Sequence, residues 1–346
     1  MNYAIILAGG IGSRFWPLST AREPKQFLNI GSNKPLLIHS VMRINKIINK
    51  ENIYIATNKN YKVRIKDYLR KSAIPFKNIL FDPESKNTFA PISILSGMIF
   101  NQDKEAVIVV LPSDHFIKNK SKFLKILEKG IVCAKNGYIV TLGIKPKRAE
   151  TGYGYLKINS QPQPLNSQVY KVDRFIEKPD IKTAKKFIKD KRFYWNGGIF
   201  IFKAKVLLEE IKKNVPHAYE IIADIKDKED LYKFWHKIPY TSIDYAVMEK
   251  TKKLALLPLE CGWLDVGNCQ ALEELMKKDR NGNIFKGRHI DLGSRNITVW
   301  GKERLVATIG LKDIIIVDAP TALLVCAKNK SQEIKQFVKK LKLNES

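Results

Sequence analysis

In the first half of the chain, short apolar runs alternate with amphipathic stretches, and this order constrains the fold more than any other feature. Runs of about five apolar residues are typical of buried strands, and a 3.6-residue period indicates helices that pack on them. We therefore predict a Rossmann-like α/β fold, with a mainly parallel sheet flanked by helices on both faces. The predicted strands are Tyr3–Ala8, Ile53–Thr57, Ile79–Phe81, Ala106–Leu111 and Tyr138–Leu142, and the predicted helices lie near Pro35–Ile48, Tyr61–Leu69, Ala90–Phe100 and Ser121–Ala134.

After Gly143 the pattern becomes richer in strands, which predicts that the sheet is mixed. The last part of the chain consists of short apolar runs and a final helix, which indicates a small C-terminal β domain. We predict a catalytic domain over residues 1–282 and the β domain over residues 283–346, and we expect Gln161–Pro164 to form an exposed loop. The predicted later elements are strands at Tyr153–Ile158, Val169–Phe175, Gly198–Phe202, Ile297–Val299, Leu305–Ile309, Ile314–Val317 and Ala322–Val325, a helix from Asp180, further helices up to about Lys250, and the helix Ser331–Leu341.

The 346-residue chain has a net charge of +27, and its lysines are spread over every predicted helix. Such spacing favours solvated helix faces and attraction of polyanionic substrates, with a nucleic-acid-binding module as the rival interpretation. The four cysteines form no CxxC pair, which argues against a zinc site or a disulfide framework. The N-terminus lacks the pattern of a signal peptide, and no run is long enough for a membrane helix. We expect a cytoplasmic protein that binds neither nucleic acid nor membrane.

The segment from Leu7 to Pro17, followed by Pro24-Lys25-Gln26-Phe27, carries the strongest functional pattern. Glycines let backbone N–H groups approach phosphate oxygens, and cationic side chains neutralise a triphosphate. Phe15 stands where a dinucleotide fingerprint has its third glycine, and the loop lacks the GK[ST] of a Walker motif. The loop therefore predicts a nucleotide site of another type, with Arg14 and Lys25 on the phosphates and with backbone contacts from Leu7, Ala8, Gly9, Gly10, Gly12 and Ser13.

This loop resembles the signature of the sugar-phosphate nucleotidyltransferases, and its Phe-Trp-Pro-Leu-Ser and Pro-Lys-Gln-Phe-Leu segments resemble the mannose-1-phosphate guanylyltransferase branch. The resemblance covers essentially the whole chain. Longer relatives continue into a fused isomerase domain where this sequence ends, so we expect no isomerase activity. The further matching segments are Asp82–Thr88, Leu111–His115, Gly152–Tyr155, Phe175–Pro179, Trp195–Gly198, Ser242–Tyr245 and Gly262–Gly267.

Transfer of a nucleotidyl group needs a cation to neutralise the phosphates, and hard Mg²⁺ prefers carboxylate and phosphate oxygens. Asp114 and Asp265 each follow an apolar run, and the resemblance implies that they come together as the Mg²⁺ ligands. His115 is either a structural neighbour or an acid–base group. Because an ionised phosphate can attack without a general base, the first interpretation is favoured.

The resemblance implies two further sets of contacts, one for the nucleotide and one for the sugar phosphate. The guanine base offers donors, so its site must present acceptors, and Asn87 or main-chain carbonyls near Pro83 and Ser113 can supply them. Asp244 is either a helix-capping residue or a ligand contact. The nucleotide set adds Pro83, Lys86, Asn87, Thr88 and Ser113 to the glycine loop, and the sugar-phosphate set is Tyr153, Gly154, Glu177, Lys178 and Asn196.

The sequence departs from the family pattern at Lys86, Phe89, Leu264 and Cys269. Lys and Arg are not equivalent at a bidentate contact, so Lys86 in place of the usual Arg affects the prediction of base and sugar more than that of the reaction. The predicted function is transfer of GMP from GTP to mannose 1-phosphate. The alternatives are another sugar 1-phosphate such as a manno-heptose, a thymidylyl or uridylyl enzyme, and a non-catalytic nucleotide-sugar sensor; a homo-oligomer remains open.

Overall fold

The computed structural model describes residues 1–10, 12–20, 23–30, 33–70, 74–163, 166–225, 228–267 and 273–344. The chain folds into two compact units. Unit 1 comprises Met1–Gly9, Ser40–Ser113 and Ile117–Trp263, and unit 2 comprises Gly10–His39, Asp114–Phe116 and Leu264–Ser346. Both units are therefore built from separate stretches of sequence.

A nine-stranded sheet forms the centre of unit 1. Its strands are β1 (Asn2–Ala8), β2 (Ile53–Asn58), β3 (Ile79–Asp82), β4 (Val107–Pro112), β6 (Ile139–Ile144), β7 (Tyr155–Gln163), β8 (Asn166–Ile176), β9 (Phe193–Lys203) and β10 (Leu254–Pro258). They lie in the order β3-β2-β1-β4-β9-β6-β10-β8-β7. β3, β2, β1 and β4 are mutually parallel, whereas β9 is antiparallel to β4, β6 and β7. The predicted mixed sheet is confirmed.

Helices cover both faces of this sheet because its strands are apolar on both sides. Phe200 and Phe202 of β9 belong to the large core cluster that includes residues of three helices, whereas Ile201 between them lies against Gly130 of a helix on the other face. Asp180 and Asn119 each cap the helix that follows them, since their side chains accept the amide hydrogens of Thr183 and Lys122. The helices are α1 (Leu36–Ile44), α2 (Lys62–Arg70), α3 (Phe89–Gln102), α4 (Lys120–Lys135), α5 (Ile181–Phe187), α6 (Ala204–Asn214), α7 (Pro216–Asp224) and α8 (Lys228–Phe234).

The prediction of a loop at Gln161–Pro164 is wrong over residues 161–163, which belong to β7. Prolines usually interrupt a strand, but Pro162 lies where the β7–β8 register is irregular, and a bulge tolerates a residue without an N–H. Pro164 lies outside the described residues. Hairpin pairing of β7 with β8 therefore overrides the local turn signal of Pro162.

Unit 2 contains short strands that pair in parallel, except for an antiparallel pairing of its last two strands. β12 (Ile284–Lys286), β14 (Thr298–Trp300), β16 (Ile314–Asp318) and β17 (Leu323–Ala327) form one sheet, and β13 (His289–Leu292) pairs with β15 (Val306–Ile309). The final helix is α9 (Ile334–Asn344). Phe15 and Leu36 from the beginning of the chain pack in one core with Val266, Trp300 and Val317. The predicted β-rich C-terminal region is confirmed.

No helix among the described residues is both long and apolar enough to span a membrane. Cys133, Cys261 and Cys326 are free thiols, and Cys269 lies outside the described residues.

Candidate functional site

The glycine loop that follows β1 turns at Gly12, which has a left-handed conformation with φ of 74°. A Cβ atom at this position would lie 2.5 Å from the Cβ of Lys25. Glycine is therefore required at residue 12 both for the backbone angle and for the close approach of Lys25. Ser13, Arg14 and Phe15 form a short 3₁₀ turn, and the completely buried Phe15 ring fixes this turn in the core of unit 2.

Lys25 is a buried cation at the centre of a polar cluster in unit 2. It begins the 3₁₀ turn Lys25–Phe27, and its side chain is only 6% exposed. The Nζ atom lies 2.8 Å from Oδ2 of Asp114 and 3.6 Å from Oδ1 of Asp265. The ring of Phe15 lies 5.5 Å from the same ammonium. Two carboxylates far apart in sequence thus share one lysine.

Asp114 and Asp265 lie at the ends of two short paired strands, β5 (His115–Ile117) and β11 (Trp263–Asp265). One donor atom from each of Asp114, His115 and Asp265 lies within 4.8 Å of the others, so the three residues form a group that can hold a metal ion. Burial would raise the pKa of Asp114, but the charges of Lys25 and His115 and the Lys25 hydrogen bond outweigh it and hold this pKa below its ordinary value. The Asp114 carboxyl is therefore ionised at neutral pH, as a metal ligand must be.

Two predicted nucleotide contacts at the end of β1 use their main-chain oxygens within unit 1. The amide of Ser113 donates to the carbonyl of Leu7, and the Thr57 hydroxyl donates to the carbonyl of Ala8. The buried Ser40 hydroxyl in turn donates to the carbonyl of Ser113. These bonds fix the backbone at the carboxyl ends of β1 and β4, where open α/β sheets bind ligands.

The loop after β3 contains four predicted nucleotide contacts, Pro83, Lys86, Asn87 and Thr88. Asn87 is left-handed, with φ of 62°, and its side-chain oxygen accepts the amide hydrogen of Thr88. Lys86 is 6% exposed, and its Nζ donates to the carbonyls of His236 and Ile238 at 2.7 and 2.8 Å. The ammonium of Lys86 is thus held by the protein's own main chain.

Asp82, the last residue of β3, is a buried acid for which the sequence indicates no role. The residue is 6% exposed, and its Oδ1 atom has no hydrogen-bond partner among the described residues. A Cβ atom at Gly9 would lie 3.6 Å from its Oδ2. Burial raises the pKa of Asp82 to about 8, so the carboxyl is mostly protonated at neutral pH. The sequence shows that Asp82 stands at the end of an apolar run. It does not show that the carboxyl is buried without a hydrogen-bond partner for Oδ1 among the described residues.

A second polar cluster lies in unit 1 around Asn196 of β9. The Asn196 amide donates to Oδ1 of Asp244 at 2.9 Å, and its side-chain oxygen accepts from the hydroxyl of Thr141 at 3.0 Å. Asp244 begins a π-helical turn, Asp244–Met248, a conformation that is frequent at functional sites. The Asp244 carboxyl thus belongs to this cluster, and Ser242 accepts the amide hydrogen of Tyr245.

Glu177 and Lys178 belong to the same cluster. Lys178 is left-handed, with φ of 47°, and its Nζ lies 2.7 Å from Oε1 of Glu177. A Cβ atom at Gly154 would lie 2.5 Å from Oε2 of Glu177, so glycine is required for this carboxyl to approach the backbone. The Tyr153 ring packs against Trp195, with 5.2 Å between ring centroids. The predicted sugar-phosphate residues therefore come together.

Two carboxyl groups in this second cluster oppose each other electrostatically. Burial and the negative charge of Glu177 raise the pKa of Asp244 to about 7, although Lys178 and the Asn196 hydrogen bond act in the opposite direction. Asp244 is therefore close to half ionised at neutral pH. A carboxyl that is about half ionised can accept a hydrogen bond from a neutral hydroxyl or donate one to it. This property suits a polyol ligand.

The family to which the chain belongs follows from comparison with known proteins. The nucleotidyl transferase family model matches residues 3–282, and the model of the MannoseP isomerase/GMP-like beta-helix domain matches residues 287–341. The chain belongs to the nucleotidyl transferase family. The predicted resemblance to this family is confirmed.

Within that class, the relatives include enzymes named for guanylyl transfer. A putative mannose-1-phosphate guanylyltransferase of Vibrio cholerae is 35% identical over 99% of this chain and 75% of the relative. A solved structure described as mannose-1-phosphate geranyltransferase from Thermus thermophilus has a TM-score of 0.88 at 29% identity and covers 99% of both chains. Another, described as mannose-6-phosphate isomerase from Helicobacter pylori, has a TM-score of 0.62 at 27% identity and covers 76% of this chain and 99% of that chain.

Proposed function

We propose that this chain transfers GMP from GTP to mannose 1-phosphate and forms GDP-mannose and pyrophosphate. The observation that carries the proposal is the cluster of Lys25, Asp114 and Asp265, in a chain of the nucleotidyl transferase family. A phosphate oxygen of the sugar 1-phosphate attacks the α-phosphorus of GTP, and the bond from that phosphorus to the bridging oxygen of the β-phosphate breaks. Pyrophosphate leaves, and no covalent enzyme intermediate is required.

Arg14 and Lys25 would neutralise the triphosphate, and the backbone of the glycine loop would bind its oxygens. Lys25 suits this role because it is preorganised by two carboxylates in a buried setting. The proposed nucleotide contacts are Leu7, Ala8, Gly9, Gly10, Gly12, Ser13, Pro83, Lys86, Asn87, Thr88 and Ser113. Lys86 would contribute through the loop that its side chain fixes, since its ammonium donates to the carbonyls of His236 and Ile238.

Asp114 and Asp265 would hold Mg²⁺, because two adjacent carboxylates offer the hard oxygen ligands that this ion prefers. When bound, Mg²⁺ supplies charge neutralisation at the reacting phosphates. Lys25 compensates the two carboxylates and keeps Asp114 ionised. His115 is adjacent to both acids, but softer nitrogen ligation is not needed for a magnesium site.

In the second cluster, Glu177, Asn196 and Asp244 would bind the sugar hydroxyls, and Lys178 would neutralise the sugar phosphate. The cluster offers carboxyl oxygens as acceptors and the amide of Asn196 as both donor and acceptor. Tyr153 and Gly154 would border the sugar. Such a set of groups is adapted to a polyol rather than to an apolar ligand.

We further propose that residues 1–282 carry the catalytic activity, that residues 283–346 act as the β domain, and that the protein works in the cytoplasm without binding nucleic acid or membrane.

The test is a matrix of kcat/KM values from pyrophosphate release. GTP, ATP, UTP and dTTP are each paired with mannose, glucose and manno-heptose 1-phosphates at saturating Mg²⁺. GTP with mannose 1-phosphate is expected to exceed every other pair, because a site that hydrogen-bonds one base leaves buried groups unpaired with another. A preference for dTTP or UTP with glucose 1-phosphate would exclude the guanylyl assignment, and a heptose preference would change the acceptor alone.

Absence of turnover with every pair, together with tight nucleotide-sugar binding, would instead favour the non-catalytic sensor. A parallel assay with mannose 6-phosphate and fructose 6-phosphate tests the expectation that the chain has no isomerase activity.

A further inference from the structure

Lys86 is a buried cation in unit 1 that the proposed reaction does not use directly. Its ammonium donates to the carbonyl oxygens of His236 and Ile238, and a carboxylate oxygen of the largely exposed Glu84 lies 3.8 Å away. A buried ammonium needs acceptors on all sides, and here main-chain carbonyls supply two of them. Lys86 therefore binds the loop after β3 to the segment after α8.

Three further hydrogen bonds connect the same two segments. The indole of Trp235 donates to the carbonyl of Glu84 at 3.0 Å. The amide of Phe89 donates to the carbonyl of Thr241 at 3.2 Å, and the amide of Ile243 donates to the Thr88 hydroxyl at 3.0 Å. We name this set of bonds, between residues 84–89 and residues 235–243, the latch. Lys86 contributes its two shortest bonds.

The latch ends at the residue before Asp244. Asp244 is the first residue of the π-helical turn, and its Oδ1 accepts from the amide of Asn196. The position of the Asp244 carboxyl therefore depends on the backbone of Thr241–Ile243, which the latch holds. One end of the latch lies in the proposed nucleotide loop, and the other adjoins the proposed sugar cluster.

We propose that Lys86 is a positioning residue that couples occupation of the 83–88 loop by the nucleotide to the placement of Asp244, so that bound nucleotide raises the affinity for the sugar 1-phosphate. This inference rests on the proposed function. Coupling of this kind is reciprocal, and its size is the factor by which one ligand changes the affinity for the other. A latch that only stabilised the fold would give no such factor.

The coupling is measured by calorimetry as the Kd of mannose 1-phosphate with and without saturating α,β-methylene-GTP, whose P–C–P bridge prevents transfer. We expect the analogue to lower this Kd about tenfold in the unaltered protein, within the usual range of allosteric coupling. In Lys86→Met the factor should fall close to one. Lys86→Arg should keep most of the coupling, since a guanidinium can donate to two carbonyls.

Lys237→Met is the matched control, because Lys237 is an exposed lysine of the same segment that makes no latch bond. It should behave like the unaltered protein. If Lys86→Met does not fold, Trp235→Phe removes one latch bond and should lower the coupling partially. A factor of one in the unaltered protein, or an unchanged factor in both latch variants, would overturn the inference.

Hydrogen exchange of the residue 236–248 region adds a readout that a purely stabilising role would not change. In the unaltered protein the nucleotide analogue alone should increase protection there, and in Lys86→Met the increase should disappear. Protection confined to residues 83–88 would contradict the coupling. Neither measurement requires turnover, so coupling without pyrophosphate release would refute the proposed reaction alone, turnover without coupling would refute the latch alone, and failure to bind either ligand would refute both.

Discussion

The cluster around Lys25 in unit 2 and the cluster around Asn196 in unit 1 shift the pKa of a carboxyl group in opposite directions. In the first, a buried ammonium lies 2.8 and 3.6 Å from two carboxylates, and the pKa of Asp114 is held low. In the second, Asp244 is close enough to Glu177 for their charges to repel, and burial together with that repulsion raises the pKa of Asp244 to about 7. Asp114 in the first cluster is therefore held ionised, whereas Asp244 in the second cluster is partly protonated at neutral pH.

This difference corresponds to different ligands. A triphosphate with a divalent cation carries large charges, so fixed and compensated charges can bind it without reorganisation. Sugar hydroxyls are neutral, and a half-protonated carboxyl can serve them as donor or acceptor. The predictions below separate the two clusters by the substrate and the pH range that each change should affect.

The largest effect is expected at the carboxylates of the first cluster. Asp114→Asn and Asp265→Asn should each lower kcat about a thousandfold, because loss of one ligand charge leaves several kcal/mol of phosphate charge unneutralised. Steady-state pyrophosphate release at saturating Mg²⁺ measures this, and circular dichroism verifies folding. A folded variant that keeps near-normal kcat would show that its residue is not a ligand.

Lys25→Ala should have the next largest effect, and it should fall on the nucleotide. A charged hydrogen bond contributes about 1.5–3 kcal/mol, so kcat/KM for GTP should drop about 10–100-fold while KM for the sugar phosphate changes little. Kinetics with each substrate varied in turn distinguish the two. A decrease that falls mainly on kcat/KM for the sugar phosphate would contradict the assignment of the Lys25 cluster to the nucleotide.

A further substitution tests the second cluster through pH. Because the pKa of Asp244 lies at about 7, its ionised fraction rises steeply between pH 6 and pH 8. A carboxylate accepts a hydrogen bond from a sugar hydroxyl more strongly than a neutral carboxyl exchanges one, so kcat/KM for the sugar phosphate should rise by up to about tenfold over this interval. Asp244→Asn should flatten the profile. The substrate phosphate also titrates near pH 6, so the difference between the two profiles is the diagnostic quantity. Identical profiles would exclude Asp244 as the titrating group.

The smallest effect on activity is expected at Asp82, which lies outside both clusters and whose substitution should change stability instead. Its folded pKa of about 8 exceeds the ordinary value of 3.8, so the unfolded chain ionises first and the free energy of unfolding decreases as pH rises between these values. Asp82→Asn removes this dependence. Its stability relative to the unaltered protein should improve steadily between pH 5 and pH 8, by up to about 1.4 kcal/mol per pH unit, the free-energy equivalent of one pKa unit. Urea unfolding at both pH values measures it, and a constant difference would contradict the buried-acid interpretation.

The early strands and helices were predictable because each has a local pattern of apolar residues, a short continuous run in the strands and a 3.6-residue period in the helices. Tyr3–Ala8 is the observed strand β1 apart from one residue, and the other first-half strands agree within one or two residues at each end. β10 was not predicted, because Leu254–Pro258 follows a helix-rich region and is a strand only through pairing with β6 and β8. Pro162 was mispredicted for a related reason, since pairing of β7 with β8 determined its structure.

In the site, motif resemblance indicated Lys25, Asp114 and Asp265 but not the contacts among them. The role of Lys86 could not be derived, because its acceptors are carbonyls about 150 residues away in sequence, which any residue type could supply. Burial of Asp82 and repulsion between Glu177 and Asp244 likewise arise from tertiary packing. Patterns in sequence therefore identified the chemical groups, and the fold determined their protonation and partners.

The discontinuous composition of unit 2 affects the order in which the protein can form during synthesis. Its core joins Phe15 and Leu36 to Trp300, Val317 and Ile334, so this core cannot close until nearly the whole polypeptide has left the ribosome. The central strands of unit 1 are complete by about residue 258 and can pair earlier. Asp114 and Lys25 must therefore remain without their final partner, Asp265, through most of translation. A shortened message that stopped before Trp300 would yield a nascent chain with its sheet but without a closed unit 2 core around the Lys25 cluster.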